Sequence, residues 1–551
     1  MKLIKSLILI FALAFFILTD AKLSRKIKSE ASVSTTTEKS KDKNNFVGTK
    51  FGMTVGTVNR FFQFYFPNVF EKLKKAKIPD FKIPSQSLAL SEFNLNLDNV
   101  KSDNMKITFK KPNKINFVAD KLIMKLSLKV QKEGFMSSFT YDYADVDITN
   151  LVIGGDIIVD MQPHPSNKKI KIPGFKIDNE NFKLSFDFEF KLRGTIFNKF
   201  LSIWYDSIKS SINNAILAWF DKTGKSYLQY YLDQIHQYLS GEYFIKDKLF
   251  INYSLMDAPI ISEDNMNLIF NFDGVTNLQG YKWQQETNDF PKGSKPLDVL
   301  VQNKDSTIMI SEYSINAAVK SFYRNLDLIF KVNIPDLFAY LPKKENLTVF
   351  QKVVKFFAFS DVNYGDIESK FKEILGENNK EGELTIALQN HEPQITLDGS
   401  DINVAASVFL AISGKTGEKK DKLTDFLAVQ LDLRAKFTLS YEGGIVKLNI
   451  VEYFVDKYQN INSISKLFKK DKVMAWLANK ALDMYKEHIN SKVTAIPFKP
   501  QPIGSFTFDN VVMKIENSVL VVNSDVVIAA KVNDTPPTEV KKVSKKKFFK
   551  K

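Results

Sequence analysis

From Phe182 to Leu192 every second residue is phenylalanine or leucine: Phe182, Leu184, Phe186, Phe188, Phe190 and Leu192, with Lys, Ser, Asp or Glu between them. A period of two sends successive side chains to opposite faces, so this stretch predicts a long strand with one greasy face and one wet face. Leu122, Met124, Leu126, Leu128 and Val130 repeat the pattern, as do Phe93, Leu95 and Leu97, and a seven-member alternation runs through Leu427, Val429, Leu431, Leu433, Ala435, Phe437 and Leu439. Strands half polar and half apolar belong to antiparallel sheets that cover one face and wet the other.

Between these runs the period lengthens to three or four. Val55, Val58, Phe62, Tyr65, Phe66, Val69 and Leu73 define a first helix within Met53 to Lys77, which Pro67 is expected to kink or interrupt. It must end before Ile78-Pro79-Asp80-Phe81, because proline holds the preceding residue extended. A second helical face comprises Phe197, Leu201, Trp204, Ile208, Ile212, Ile216 and Trp219, continuing after Gly224 with Leu228, Leu232, Ile235 and Leu239. A third helix spans Ser311 to Leu326 with Ile315, Val319 and Phe322 on one side. A fourth spans Ser465 to Ser491 with Val473, Leu477, Ala481, Met484 and His488. Phe250 to Val275 reads as strand with Leu268, Phe270 and Phe272 facing one way, Tyr281 to Ser306 as a loop or linker, and the last strands reach about Ile528.

This order repeats. Ile78-Pro79-Asp80-Phe81 has a counterpart in Ile334-Pro335-Asp336-Leu337, an offset of 256 residues. The same offset carries the first helix onto the third and the second onto the fourth. Each half then reads helix, long antiparallel strands, helix, strand. With 551 residues, 44% of them hydrophobic, the chain is long enough for two large domains, each burying its own core.

The ends differ from the middle. Lys2 and Lys5 precede an apolar run from Ser6 to Leu18, followed by Thr19-Asp20-Ala21. That run is shorter than the ~20 residues a membrane span needs, so residues 1–21 are expected to be a cleaved secretory signal and the mature chain to begin near Lys22. Residues 22–45, polar and without aromatics, read as a disordered leader. Sequons at Asn252, Asn346 and Asn533 are candidate glycosylation sites in an exported chain. The formal net charge is +15, and it is +14 once Lys2, Lys5 and Asp20 are removed. Half of that excess lies in the tail, in Lys541, Lys542, Lys545, Lys546, Lys547, Lys550 and Lys551, which surround Phe548 and Phe549. The tail is either a solvated disordered end or a contact for an anionic membrane surface, in which each Lys contributes about 1 kcal/mol and the two rings insert at the interface.

Most catalytic chemistry has no residues to perform it. There is no cysteine, which removes thiol nucleophiles, thiolate metal sites and disulfides, and only four histidines, His164, His236, His391 and His488, none in a zinc motif. No Gly-x-Ser-x-Gly elbow is present, so an esterase would lack its nucleophile. Gly414-Lys415-Thr416 imitates the end of a phosphate loop, but Phe409 stands where the first glycine is required, and the segment reads as a hairpin tip. No metal, cofactor, enzymatic activity or nucleic-acid partner is expected, and carboxylates should lie mostly on wet strand faces.

In their order and spacing, Ile78-Pro79-Asp80-Phe81, Ile251-Asn252-Tyr253-Ser254-Leu255 with Ala258-Pro259, Ile308 to Phe322 with Ser311-Glu312-Tyr313, and the end segment Phe506 to Ile528 resemble the secreted lipid-binding family of bactericidal/permeability-increasing protein, lipopolysaccharide-binding protein and the cholesteryl ester and phospholipid transfer proteins. The resemblance covers nearly the whole mature chain. It implies an α+β fold: a boomerang of two pseudosymmetric barrels, each a long twisted antiparallel sheet with two helices, joined by a central sheet. The implied layout is an N-terminal lipid-binding barrel over 46–250, a central-sheet strand and linker over 251–305, a C-terminal lipid-binding barrel over 306–530 and a basic disordered tail over 531–551. Family members usually tie the second helix to a strand by a disulfide. This chain has no Cys, so packing alone is expected to hold that helix.

The resemblance implies a phospholipid or other acyl lipid as partner. Periodicity by itself leaves two arrangements open, a filled core or a ligand-lined cavity. If the helix faces line a cavity, Val58, Phe62, Tyr65, Leu201, Trp204, Ile208 and Ile212 are the candidate lipid contacts in the first half, and Val319, Phe322, Trp476, Leu477 and Met484 in the second. The other function class is a secreted surface-binding or innate-defence protein that binds anionic membranes or lipopolysaccharide through basic patches. Lys125, Lys129 and Lys132 lie where such a patch would sit, in a chain where lysines are common on wet faces.

Overall fold

The computed structural model describes residues 47–73, 78–83, 87–98, 101–132, 141–165, 167–194, 205–234, 242–246, 249–252, 254–262, 267–272, 275–278, 304–325, 329–333, 383–388, 393–415, 423–463, 475, 479, 495–497 and 506–528. Strand β1 (Thr49–Met53) leads into helix α1 (Val55–Leu73). Thr54 starts the helix: its hydroxyl accepts the Thr57 N–H at 3.3 Å, satisfying one of the donors a helix N-terminus leaves open. Pro67 does not interrupt α1, contrary to expectation. The buried Phe66, Val69 and Phe70 hold the turns on either side of it, which outweighs the one backbone hydrogen bond that proline removes.

Strands β2 (Phe81–Ile83), β3 (Leu88–Asp98), β4 (Met105–Lys110), β5 (Lys114–Lys132), β6 (Tyr141–His164), β7 (Asn167–Ile177) and β8 (Lys183–Leu192) form one antiparallel sheet in the order β2-β3-β5-β6-β7, with β4 paired to β5 and β8 to β6. Its inner face carries the alternation read from the sequence. Leu122, Met124, Leu126, Leu128 and Val130 are all buried, and in β8 exposed residues alternate with buried or half-buried Phe and Leu. Helix α2 (Tyr205–Trp219) follows, then a π-helical turn (Phe220–Gly224) and helix α3 (Lys225–Gln234). The helical run continues through Gly224. A Cβ there would lie 2.7 Å from the Phe220 ring, so the turn closes only around glycine.

Next come β9 (Glu242–Lys246), β10 (Leu249–Asn252), β11 (Ile260–Ile261), β12 (Leu268–Phe272) and β13 (Val275–Leu278), and the second half opens with β14 (Ser306–Ser311) and helix α4 (Glu312–Asn325). Strands β15 (Ile329–Asn333), β16 (Glu383–Leu388), β17 (Gln394–Asp398), β18 (Asp401–Lys415), β19 (Leu423–Glu442), β20 (Ile445–Ser463) and β21 (Ala495–Pro497) make a second antiparallel sheet, β15-β16-β18-β19-β20-β21 with β17 on β18. It repeats the first sheet's device of a short strand paired off the main path. The seven-member alternation lies in β19 and runs unbroken, the three register shifts adding residues to β20, while Leu433, Ala435 and Leu439 are half-buried instead of buried.

A central sheet joins the halves. Its order is β11-β12-β1-β14-β23-β22, where β22 is Phe506–Glu516 and β23 is Val519–Ile528. In its middle Thr49 pairs with Ile310, Phe51 with Ile308 and Met53 with Ser306. Shifting 49, 51 and 53 by 257 gives 306, 308 and 310, so the register maps onto itself about the Phe51–Ile308 pair. The helix starts obey the same rule. The Thr54 N–H donates to the Asp305 carbonyl at 3.1 Å, and the Ser311 N–H donates to the Gly48 carbonyl at 2.9 Å. Ser311 caps α4 by accepting the Ser314 N–H at 3.3 Å, as Thr54 caps α1. The structural offset is therefore 257, one more than the Ile-Pro-Asp repeat indicates, and the second copy of that motif lies outside the described residues.

Residues 254–256 stitch the central sheet to the first-half sheet. Leu255 N–H donates to the Lys171 carbonyl at 2.7 Å, Lys171 N–H to Ser254 Oγ at 2.9 Å, and Met256 N–H to the Asn271 carbonyl at 2.9 Å.

Candidate functional site

The described candidate residues of the first half meet in one apolar cluster. Val58 and Phe62 on α1, and Ile208 and Ile212 on α2, are each at most 4% exposed and share that cluster with the inner face of the first-half sheet. A run of rings links the two helices. Phe62 and Phe66 stand 5.0 Å apart, Phe66 lies 4.3 Å from Phe117 of β5, Phe117 is 6.4 Å from Phe182, and Phe182 is 6.4 Å from Phe220 in the π-helical turn. The last two pairs are stacked with nearly parallel planes, at 4° and 14°.

Local chemistry sets this path. Gly155 of β6 pairs with Phe117, and a Cβ on it would fall 2.3 Å from Phe182 Cα, so its bare backbone admits Phe182 beside Phe117. The turn that presents Phe182 is fixed by Asp178, whose carbonyl accepts the Phe182 N–H at 2.8 Å. Its carboxylate accepts Lys114 Nζ at 2.9 Å and Asn181 Nδ2 at 3.0 Å, and these two bonds, Lys114's first, pull the carboxyl down to about 2. Lys225 Nζ ties the π-helical turn to the same place by donating to the Asn179 carbonyl at 2.9 Å.

Charged groups are paired around the cluster. Asp156, unlike most carboxylates here, is buried; burial opposes its ionisation, but hydrogen bonds from Lys110 at 2.7 Å and Asn116 at 2.8 Å hold its carboxyl below the ordinary range. Asp142, also buried, accepts the Gly194 N–H at 2.9 Å. On the outer face Lys129 meets Glu92 at 3.3 Å and Arg193 pairs with Asp145, while Lys125 sits opposite Asp147 in register. Among the described residues no group of three or more His, Asp or Glu is placed to hold a metal, and no helix is long and apolar enough to cross a membrane.

Helix α3 is not held by packing alone, which corrects the expectation drawn from the missing disulfide. Gln229 Oε1 accepts the Ile177 N–H and its Nε2 donates to the Phe175 carbonyl, both at 2.8 Å, on the open edge of β7. The second half repeats the device. Asn316 of α4 accepts the Ile395 N–H at 2.8 Å and donates to the Ile395 carbonyl, and Asn479 does the same to Val455 of β20. These helix amides, together with the ring path through Phe66, Phe117, Phe182 and Phe220, were not among the sequence candidates. The recurring polar residue on an otherwise apolar helix face was the available signal.

In the second half Val319 is buried in a separate cluster with Ile315, Ile395 and Phe437. Tyr65 and Phe322 fall within α1 and α4, but their side chains are outside what is described, and Leu201, Trp204, Trp476, Leu477, Met484, Asn346, Asn533, the tail lysines with Phe548 and Phe549, and residues 1–45 lie outside the described residues. Asn252 ends β10, paired in register with Val275 and Glu242.

No family model and no curated protein matches the chain. Among solved structures the chain is similar to the crystal structure of lipopolysaccharide binding protein, at 15% identity and a TM-score of 0.40, over 88% of this chain and 99% of that one. The resemblance is distant and structural. It is also similar to P47 of Clostridium botulinum E1, at 11% identity and a TM-score of 0.27, over 87% of this chain and 98% of that one.

Proposed function

We propose that this is a secreted, non-enzymatic lipid-binding or lipid-transfer protein that holds acyl chains in apolar pockets of two pseudosymmetric barrels. The observation that carries the reading is the continuous apolar cluster from Val58 and Phe62 on α1 to Ile208 and Ile212 on α2, with the neighbouring carboxylates tied to lysines, amides and backbone donors around it. A ligand in such surroundings gains affinity by leaving water, about 0.8 kcal/mol per buried methylene, and the protein needs no reacting group. The polar head stays at the wet rim. The central sheet, built from both halves, contributes Leu268 and Phe270 to this cluster and Ile515 and Leu520 to the separate cluster of the second half.

Organic extraction of the purified protein followed by mass spectrometry tests the reading. Stoichiometric acyl lipid is the expected result, and its absence from protein made in a lipid-containing host removes the proposal. Export is tested by N-terminal sequencing, which should find a start near Lys22.

A further inference from the structure

We infer that the indole N–H of Trp219 anchors a carbonyl oxygen of an acyl ester inside the first-half cluster, an inference that rests on the lipid-binding reading above. Trp219 is 7% exposed, and among the described residues its Nε1 has no hydrogen-bond partner. Buried tryptophan N–H groups usually find an acceptor, and leaving one unpaired is unfavourable. The residue ends a buried stripe of α2 that also holds Ile208, Ile212 and Ile216, at spacings of four, four and three residues. From Ile208 to Trp219 that stripe is roughly 16 Å long at 1.5 Å per residue, apolar but for the buried Ser211 near its start and the indole at its end.

The helix changes character at that donor. The π-helical turn begins at Phe220, with Lys225 N–H reaching back to the Phe220 carbonyl, and single π turns inside α-helices recur at functional sites. The same turn decides the ligand's chemistry. The buried cation beside it, Lys225 Nζ, is taken by the Asn179 carbonyl at 2.9 Å and Asp221 at 2.8 Å, and the turn's own lysine, Lys222, is exposed, so a phosphate at the buried indole would have no buried counter-charge. An uncharged donor in mostly apolar surroundings suits a neutral acceptor, the ester carbonyl that joins an acyl chain to its head group.

Two ligands of similar length test this, methyl palmitate, which has the acceptor, and hexadecane, which lacks it. Full-length protein and its Trp219→Phe variant are titrated with each after delipidation. Methyl palmitate should bind about threefold to tenfold more weakly to the variant, the range of one net hydrogen bond, while hexadecane binding stays the same. In parent protein with its other three tryptophans replaced by phenylalanine, the indole 15N–H resonance should move downfield with the ester and not with the alkane. This second measurement decides the matter if the variant folds poorly. Unchanged ester affinity and an unmoved resonance, with both ligands bound, overturn the anchor and leave lipid binding intact, as they would if a buried water satisfies the indole. Failure of the parent to bind either ligand overturns the lipid-binding reading and the anchor together.

Discussion

Gln229 Oε1 accepts the backbone N–H of Ile177 at 2.8 Å, so a helix side chain stands where the next strand of the sheet would be. Its Nε2 completes the pairing on the Phe175 carbonyl. Open strand edges present unpaired backbone groups, and this amide closes one while docking the helix. Gln229→Met, similar in length but without donor or acceptor, should leave both backbone groups unpaired and cost about 1–3 kcal/mol in urea unfolding. Hydrogen exchange at Ile177 should accelerate in the variant, and unchanged protection would show that packing holds α3.

The Asp178–Lys114 pair predicts an acid-sensitive step. The carboxyl is lowered from an ordinary 3.8 to about 2, first by the Lys114 hydrogen bond and then by Asn181. A group depressed in the folded state stabilises fully above its unfolded value and loses that contribution as pH falls through the folded value, here from about 4 to about 2. Lys114→Met should move the Asp178 midpoint back toward 3.8 in a carboxyl NMR titration. Asp178→Asn should flatten the pH dependence of stability over that window.

Ile208, fully buried, separates a cavity from a filled core. If lipid occupies space beside α2, Ile208→Trp should keep a near-normal Tm and carry less lipid. In a filled core the larger ring costs roughly 1–3 kcal/mol. Ile208→Asp should expel lipid or force the carboxyl to protonate, because an unpaired charge in these surroundings is strongly disfavoured.

The basic tail gives a prediction independent of the barrels. Deleting residues 541–551 removes seven lysines with Phe548 and Phe549, and should weaken binding to anionic vesicles and flatten its salt dependence. Identical binding isotherms would exclude the tail as a contact.

Much of this architecture is legible in residue periods. The Phe/Leu alternation of β8 and the five-member run of β5 emerge as buried faces, and the last strand ends at Ile528. Periods fail where geometry is set by contacts distant in sequence. Pro67 sits within a continuous helix because Phe66 and Phe70 are packed against the sheet, and Gly224 sits in a π turn because the Phe220 ring covers it. The apolar part of the site follows from the spacing of Val58, Phe62, Ile208 and Ile212. The same spacing includes Trp219, but neither its unpaired N–H nor the Gln229 amide follows from it, since a period counts apolar residues and is silent about which single N–H or amide meets a partner.

The register through Phe51 and Ile308 has a consequence for the severed chain. Cut between the halves, each fragment would expose the edge of β1 or β14, five and six residues long, whose register is self-complementary about Phe51 and Ile308. Two first-half fragments are expected to pair β1 with β1, Phe51 facing Phe51, in the register that the tethered chain reserves for Phe51 and Ile308.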